Sequence, residues 1–178
     1  MRLSELITEY CLNELKDEKT KSWLDQKLHS IKTDQDFFIS FALINKKIPR
    51  GHLQLSLSQL QIIQLKYPEF NIENWTLDQL CRFSLLMYYP LLSVESLTKL
   101  ISVADTREQI SIFKSITYLE NASHFTPIVV NGIRTNIVDI FDAIALKNPF
   151  AASYFSQDEW NQMILKAVFM ERPIYQIK

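Results

Sequence analysis

The sequence predicts an all-α fold, and three observations carry that expectation. Apolar residues recur at helical spacing almost everywhere, capping signatures precede the apolar stretches, and the chain holds only 2 glycines in 178 residues. An average chain carries about 7% glycine. Such scarcity removes the backbone freedom that Gly-rich phosphate loops, dinucleotide fingerprints and serial tight β-turns require.

The elements follow in order. Leu3, Leu6, Ile7 and Tyr10 form one helical stripe, continued by Leu15. Trp23, Leu24, Lys27, Leu28 and Ile31 form a second. Asp34 opens a third, through Phe37, Phe38, Phe41, Ala42 and Ile44, which ends before Pro49 and Gly51. Leu53, Leu55 and Leu57 alternate like a strand, but Leu60, Ile62, Ile63 and Leu65 follow without a turn signal. The spacing therefore predicts a helix starting at Ser56 or Ser58 with an extended lead-in. Thr76 to Gln79 is a capping box, in which a hydroxyl and an amide satisfy orphan backbone donors reciprocally. It opens a helix through Leu80, Phe83, Leu86 and Met87 that Pro90 stops.

Ser93 or Val94 starts the next helix, with Leu97, Leu100 and Ile101 inward. Asp105 to Glu108 caps another, carrying Ile110, Phe113, Ile116 and Tyr118. Ser123 or Thr126 opens a short one with Pro127 in its first turn, and Gly132 fits the left-handed position that ends it. Asn136 with Asp139 resembles a variant cap for Ile137, Ile140, Phe141 and Ile144, stopped at Asn148-Pro149. Ser156 to Glu159 is a capping box leading Trp160, Met163, Ile164, Ala167 and Val168 toward Pro173. The total is about nine helices with short connections. Their spacing suggests antiparallel pairs of roughly 35 to 45 residues, stacked as a HEAT-like α-solenoid. An irregular helical bundle is the alternative. No linker or composition break appears, so residues 1–178 are expected to form a single domain.

Composition then bounds function. Lys plus Arg is 19 and Asp plus Glu is 20, which argues against a dedicated nucleic-acid binder. Cys11 and Cys81 form no Cys-x-x-Cys pair and are expected as reduced, buried thiols. Glu5 and Glu9 interrupt the N-terminal apolar residues, so no secretory signal is expected there. Phe83 to Val94 is too short to cross a bilayer and contains Pro90. A cytoplasmic protein without a membrane span is the expectation. His29, His52 and His124 lack the paired spacing of a metal-binding helix, so no metal ion and no cofactor are expected. Asp139 and Asp142 lie one turn apart, a spacing that magnesium–diphosphate chemistry uses, but capping and solvation explain it more simply. Lys46, Lys47 and Arg50 suit a solvated helix end. No catalytic set is legible.

One stretch stands out. From Gly132 the sequence reads Gly-Ile-Arg-Thr-Asn, then a Phe-containing helix, Asn148-Pro149-Phe150, Phe155, and Trp160-Asn-Gln-Met-Ile-Leu-Lys-Ala. This resembles the EboA family, small proteins of a bacterial operon associated with metabolite traffic. The likeness is dense over residues 132–169 and looser from Leu91 through Asp105 to Leu119. It implies a helical accessory component, with enzymes among its operon neighbours and no assigned catalytic residues. Family members continue with a further helix where this chain stops at Lys178, which implies either a truncated chain, lacking the C-terminal part of the family, or a short member.

The residues of that stretch name a candidate binding site. Trp160 falls on the apolar stripe with Met163, Ile164 and Ala167, and core is its plainer role. Asn161 at the stripe's edge needs polar partners. Arg134, Asn136, Asn161 and Lys166 are expected to converge where the last two long helices meet. There they either lock the helical hairpin or grip an acidic partner. The function expected is a non-catalytic adaptor that binds operon-encoded proteins or a small amphipathic metabolite. The alternatives are a helical enzyme acting on an isoprenoid-like substrate through Asp139 and Asp142, and a structural subunit of a complex.

Overall fold

The computed structural model describes residues 2–178. Among them there are eleven α-helices and three short 3-10 helices, with no strand. The only extended pairing among the described residues is an isolated antiparallel bridge between Leu146 and Ile177. The helices are α1 Leu3–Glu14, α2 Glu18–Ser30, α3 Asp34–Lys47, α4 Leu57–Lys66, α5 Leu77–Tyr88, α6 Val94–Val103, α7 Thr106–Ile116, α8 Thr126–Gly132, α9 Val138–Ala145, α10 Phe150–Tyr154 and α11 Gln157–Phe169. The expected count of about nine is thus low; α10, the five-residue turn after Asn148-Pro149, has no periodic stripe to reveal it.

The local signals act where the sequence places them. Ser56 caps α4 and pairs with Gln59 in a capping box, so the alternating leucines before it are lead-in and not strand. Asp105 and Glu108 exchange bonds of 2.9 Å each at the start of α7. Ser156 and Glu159 do the same for α11 at 3.3 and 2.8 Å. Two signals are used differently. Gly132 is the last residue of α8, and among the described residues no glycine has a positive φ. Its role is close approach, because a Cβ there would stand 2.7 Å from Phe113 Cζ and 2.8 Å from Ile144 Cδ1. The left-handed positions fall instead to Asn121, Lys147 and Glu171, at φ 54, 53 and 55°. Nor do Asn136 and Asp139 cap α9. The N-cap position is Ile137, which offers no side-chain cap, and its own N–H goes to the Thr135 hydroxyl at 3.1 Å.

The chain divides into two compact units, Met1–Leu91 and Leu92–Lys178. In the first, α5 is the hub and packs against α1 above all, then α3 and α2. Leu77 to Leu86 are all buried save Gln79, so α5 is apolar-packed around its whole circumference. Phe37, Phe41 and Phe83 are fully buried in this core. A buried Thr8–Ser84 hydrogen bond of 2.8 Å fixes α1 on α5. Cys11 and Cys81 are both buried free thiols, and burial pushes the Cys11 thiol well up, with Cys81 beside it adding to the effect.

Arg82 is fully buried in the same core. Its guanidinium donates to Asp78 Oδ2 at 3.1 Å and to Asn45 Oδ1 at 2.7 Å, and lies 5.4 Å from the centre of the Phe41 ring. Thr76 Oγ1 donates to the other Asp78 oxygen at 2.7 Å. Each charge therefore keeps partners in place of water, as burial demands. Of the basic cluster, Lys47 lies 5.1 Å from the Trp23 ring centre, and Lys46 and Arg50 are exposed.

In the second unit α7 and α9 form the principal pair, with α8 against α9 and α6 against α7. The buried Asn148 amide joins them. It donates to the Phe113 carbonyl at 3.2 Å and the Ala143 carbonyl at 2.9 Å. Its oxygen accepts from Thr117 Oγ1 at 2.6 Å and from the Phe150 N–H at 3.0 Å. That is the full hydrogen-bonding capacity of an amide. No helix among the described residues is long and apolar enough to cross a membrane.

Candidate functional site

The second unit carries a groove of about 530 Å³ between α6, α7, α8 and α9. Val94, Ile101, Phe113, Ile128 and Ile140 supply its apolar walls, and Gly132 is part of its lining. Ile128 and Ile140 are nearly closed off, whereas Val94 is half open. Gly132 matters here, since its missing side chain lets α8 settle onto Phe113 and Ile144. The volume lies within the roughly 300–1,000 Å³ typical of small-ligand pockets.

The polar residues of the groove are Thr98, Gln109, Asn131, Arg134 and Thr135. Gln109 is occupied, its amide donating to the Ala104 carbonyl at 3.0 Å at the end of α6. Thr98 donates to the Val94 carbonyl at 2.7 Å. Arg134 is the single charged residue of the lining, and no carboxylate shares it. Arg134 sits on a loop held from several directions. The Ile133, Arg134 and Thr135 N–H groups bond back to Val129, Asn131 and Gly132 carbonyls at 3.0, 3.1 and 3.1 Å. Ile133 is buried beneath them. Lys166 donates to the Thr135 carbonyl at 2.5 Å, with its ammonium 5.8 Å from the Phe141 ring centre. The backbone of the loop is thereby fixed. The exposed Arg134 guanidinium makes no hydrogen bond or ion pair among the described residues.

The expected cluster is therefore assembled only in part. Lys166 does reach the loop that carries Arg134 and Asn136, and it does so as a lock on backbone. Asn136 is exposed beside it. Asn161 is drawn elsewhere, its exposed amide oxygen accepting from Gln157 Nε2 at 2.9 Å on the same helix. Trp160 is half-buried and lines a separate concavity of about 270 Å³ with Ala151, Ala152 and Phe155. Asp142 spends both oxygens on Arg172, at 2.8 and 2.6 Å, and that bond raises the Arg172 pKa. Asp139 is exposed, and neither aspartate lines the groove. Among the described residues no cluster of three or more His, Cys, Asp or Glu side chains could hold a metal ion.

Sequence reasoning named Arg134 but missed the walls around it. Their one advance signal was Gly132, a glycine inside an otherwise strongly apolar helical region, which marks close approach as often as a turn.

The loop and the helices on either side of it are also where the chain carries its family pattern. The family model described as metabolite traffic protein EboA matches residues 3–178. The chain belongs to the EboA family. The match takes in essentially the whole chain, well beyond residues 132–169 where the likeness is dense. Comparisons of this EboA-family chain with curated proteins and with solved structures find no match.

Proposed function

We propose that this EboA-family protein is a non-catalytic accessory protein of metabolite traffic, which holds a small amphipathic metabolite in the groove between α6, α7, α8 and α9. The observation that carries the reading is the groove itself. It is sizeable, walled by Val94, Ile101, Phe113, Ile128 and Ile140, and edged by a polar loop. The family description, metabolite traffic, supports the class of ligand. The enzyme alternative has less support, since Asp142 is spent on Arg172 and neither aspartate faces the groove. A cytoplasmic location and HEAT-like stacking of helix pairs belong to the same proposal.

The test is ligand capture. The protein is incubated with a small-molecule extract of producing cells, repurified, and its bound molecules are released and identified by mass spectrometry. Wild type should retain a compound that Thr98→Trp, which fills the groove from an exposed position, does not. Equal retention by both proteins, or none by either, would count against the groove.

A second reading has its own observation. Leu165, Val168 and Phe169 share a face of α11 and are 60%, 55% and 86% exposed, with Tyr175 at 83% beyond the helix. An operon-encoded protein partner would cover such a face. Co-expression with the neighbouring gene products, comparing wild type with Phe169→Ser, tests it through loss of the complex.

A further inference from the structure

We infer that the groove selects a ligand with an apolar body and a single anionic group, and that Arg134 is the residue that reads the anion. The inference rests on the proposed groove and adds the chemistry of its occupant. It begins with the charge balance of the lining. The walls are largely apolar, Gln109 and Thr98 already donate to backbone carbonyls, Asn131 and Thr135 add neutral polar groups, and Arg134 is the one charge present. A neutral ring system gains at most a weak stacking contact from a guanidinium at the edge, and a cationic ligand is repelled by it. A carboxylate, sulfonate or phosphate is met by the forked donor set that arginine presents.

The second step is preorganisation. The backbone at residues 133–135 is bonded to α8, Thr135 is tied again by Lys166, and Thr135 Oγ1 accepts from the Ile137 N–H just before α9. Anchoring the loop removes much of the ordering cost that a mobile arginine would pay on binding. Lys166 spends its own charge on the Thr135 carbonyl, so the loop holds one engaged cation and one available for a ligand. The absence of any carboxylate from the lining leaves Arg134 without an internal rival at the groove.

The third step is size. A volume of about 530 Å³ accommodates a fused or linked ring system, with its acidic group at the rim beside Arg134.

A matched pair of fluorescent probes separates the two parts of the claim. 8-Anilinonaphthalene-1-sulfonate and N-phenyl-1-naphthylamine share one aromatic body, and only the first carries an anion. Each is titrated against wild type, Arg134→Ala, Arg134→Lys and Thr98→Trp, with the fold of every variant verified by circular dichroism and melting. Both probes should bind wild type at one site, and Thr98→Trp should abolish both. Arg134→Ala should weaken the sulfonate probe about fivefold to tenfold, the scale of one partly exposed charge-assisted contact. It should weaken the neutral probe far less, about twofold at most, with Arg134→Lys in between. Raising the salt concentration should weaken only the sulfonate probe. If both probes bind and Thr98→Trp blocks them, but Arg134→Ala weakens the sulfonate probe no more than the neutral one, the anion assignment falls and the groove stands. If neither probe binds, or Thr98→Trp leaves both intact, the groove itself falls.

Discussion

Replacing Arg82 by alanine should unfold the first unit more effectively than any surface change. The guanidinium is 0% exposed and Asp78 is 5% exposed, on the same face of α5. Removing Arg82 leaves the Asp78 carboxylate buried without a counter-charge, facing Thr76 alone, and opens a void beside Phe41. Breaking a buried pair from one side costs about 3–5 kcal/mol. A domain holds only about 5–15 kcal/mol altogether. In a unit of this size each kcal/mol moves the midpoint by about 4–8 °C. The expected drop for Arg82→Ala therefore exceeds 10 °C. The companion experiment removes both charges, as Asp78→Leu with Arg82→Met. That double variant should lie far closer to wild type than either Arg82→Ala or Asp78→Leu, because no lone charge is left behind. Urea unfolding followed by circular dichroism and by the fluorescence of buried Trp75 measures all of these proteins. A loss below about 1 kcal/mol for Arg82→Ala, or a double variant no closer to wild type than the two singles, would refute the placement of this pair in a dry core.

Four further outcomes are expected. Asn148→Ala removes a fully bonded buried amide and strands the Phe113 and Ala143 carbonyls, so urea titration should show a loss of about 2–4 kcal/mol. Gly132→Ala drives a Cβ against Phe113 and Ile144, and the same titration should show a loss of about 1–3 kcal/mol. Burial, and after it the hydrogen bond to Asp34 at 2.6 Å, push the Tyr89 phenol up to about 12. The folded protein thus holds that proton more tightly than the unfolded chain, whose tyrosines titrate near ~10. The stabilisation is complete below that pH and is lost as pH climbs toward 12. The stability gap between wild type and Tyr89→Phe should narrow across this window; a constant gap would dismiss the coupling. Finally, Glu171→Gly and Lys147→Gly place the permissive residue at φ 55 and 53°, and each should raise the melting midpoint. The gain in stability should reach up to ~1 kcal/mol.

The parts of the fold that the sequence displays are those decided within one turn of helix. Ser156–Glu159, Asp105–Glu108 and Ser56–Gln59 bond to residues three positions away, so spacing alone reveals them. What depends on distant residues stays hidden. The glycine at 132 looks like a chain terminator until Phe113 and Ile144 are seen against it. Arg82 looks like an ordinary helical arginine until Asn45 and Phe41 close over it. The same rule governs the candidate site. Arg134 stands out beside a glycine, but Val94, Phe113 and Ile140 become its surroundings only when separate helices meet. Asn161 and Lys166 share a motif and a helix, yet one bonds to its own helix and the other to a loop 31 residues away.

The preference of α1 for α5 also bears on how the protein is made. The first helix leaves the ribosome with Leu6, Ile7 and Cys11 facing outward, and the segment they will pack against has not yet been translated. At ordinary elongation rates the delay is on the order of ten seconds. During that time the nascent chain offers a sticky amphipathic stretch to any chaperone near the exit tunnel, and productive folding of this half must wait for Thr8 to find Ser84.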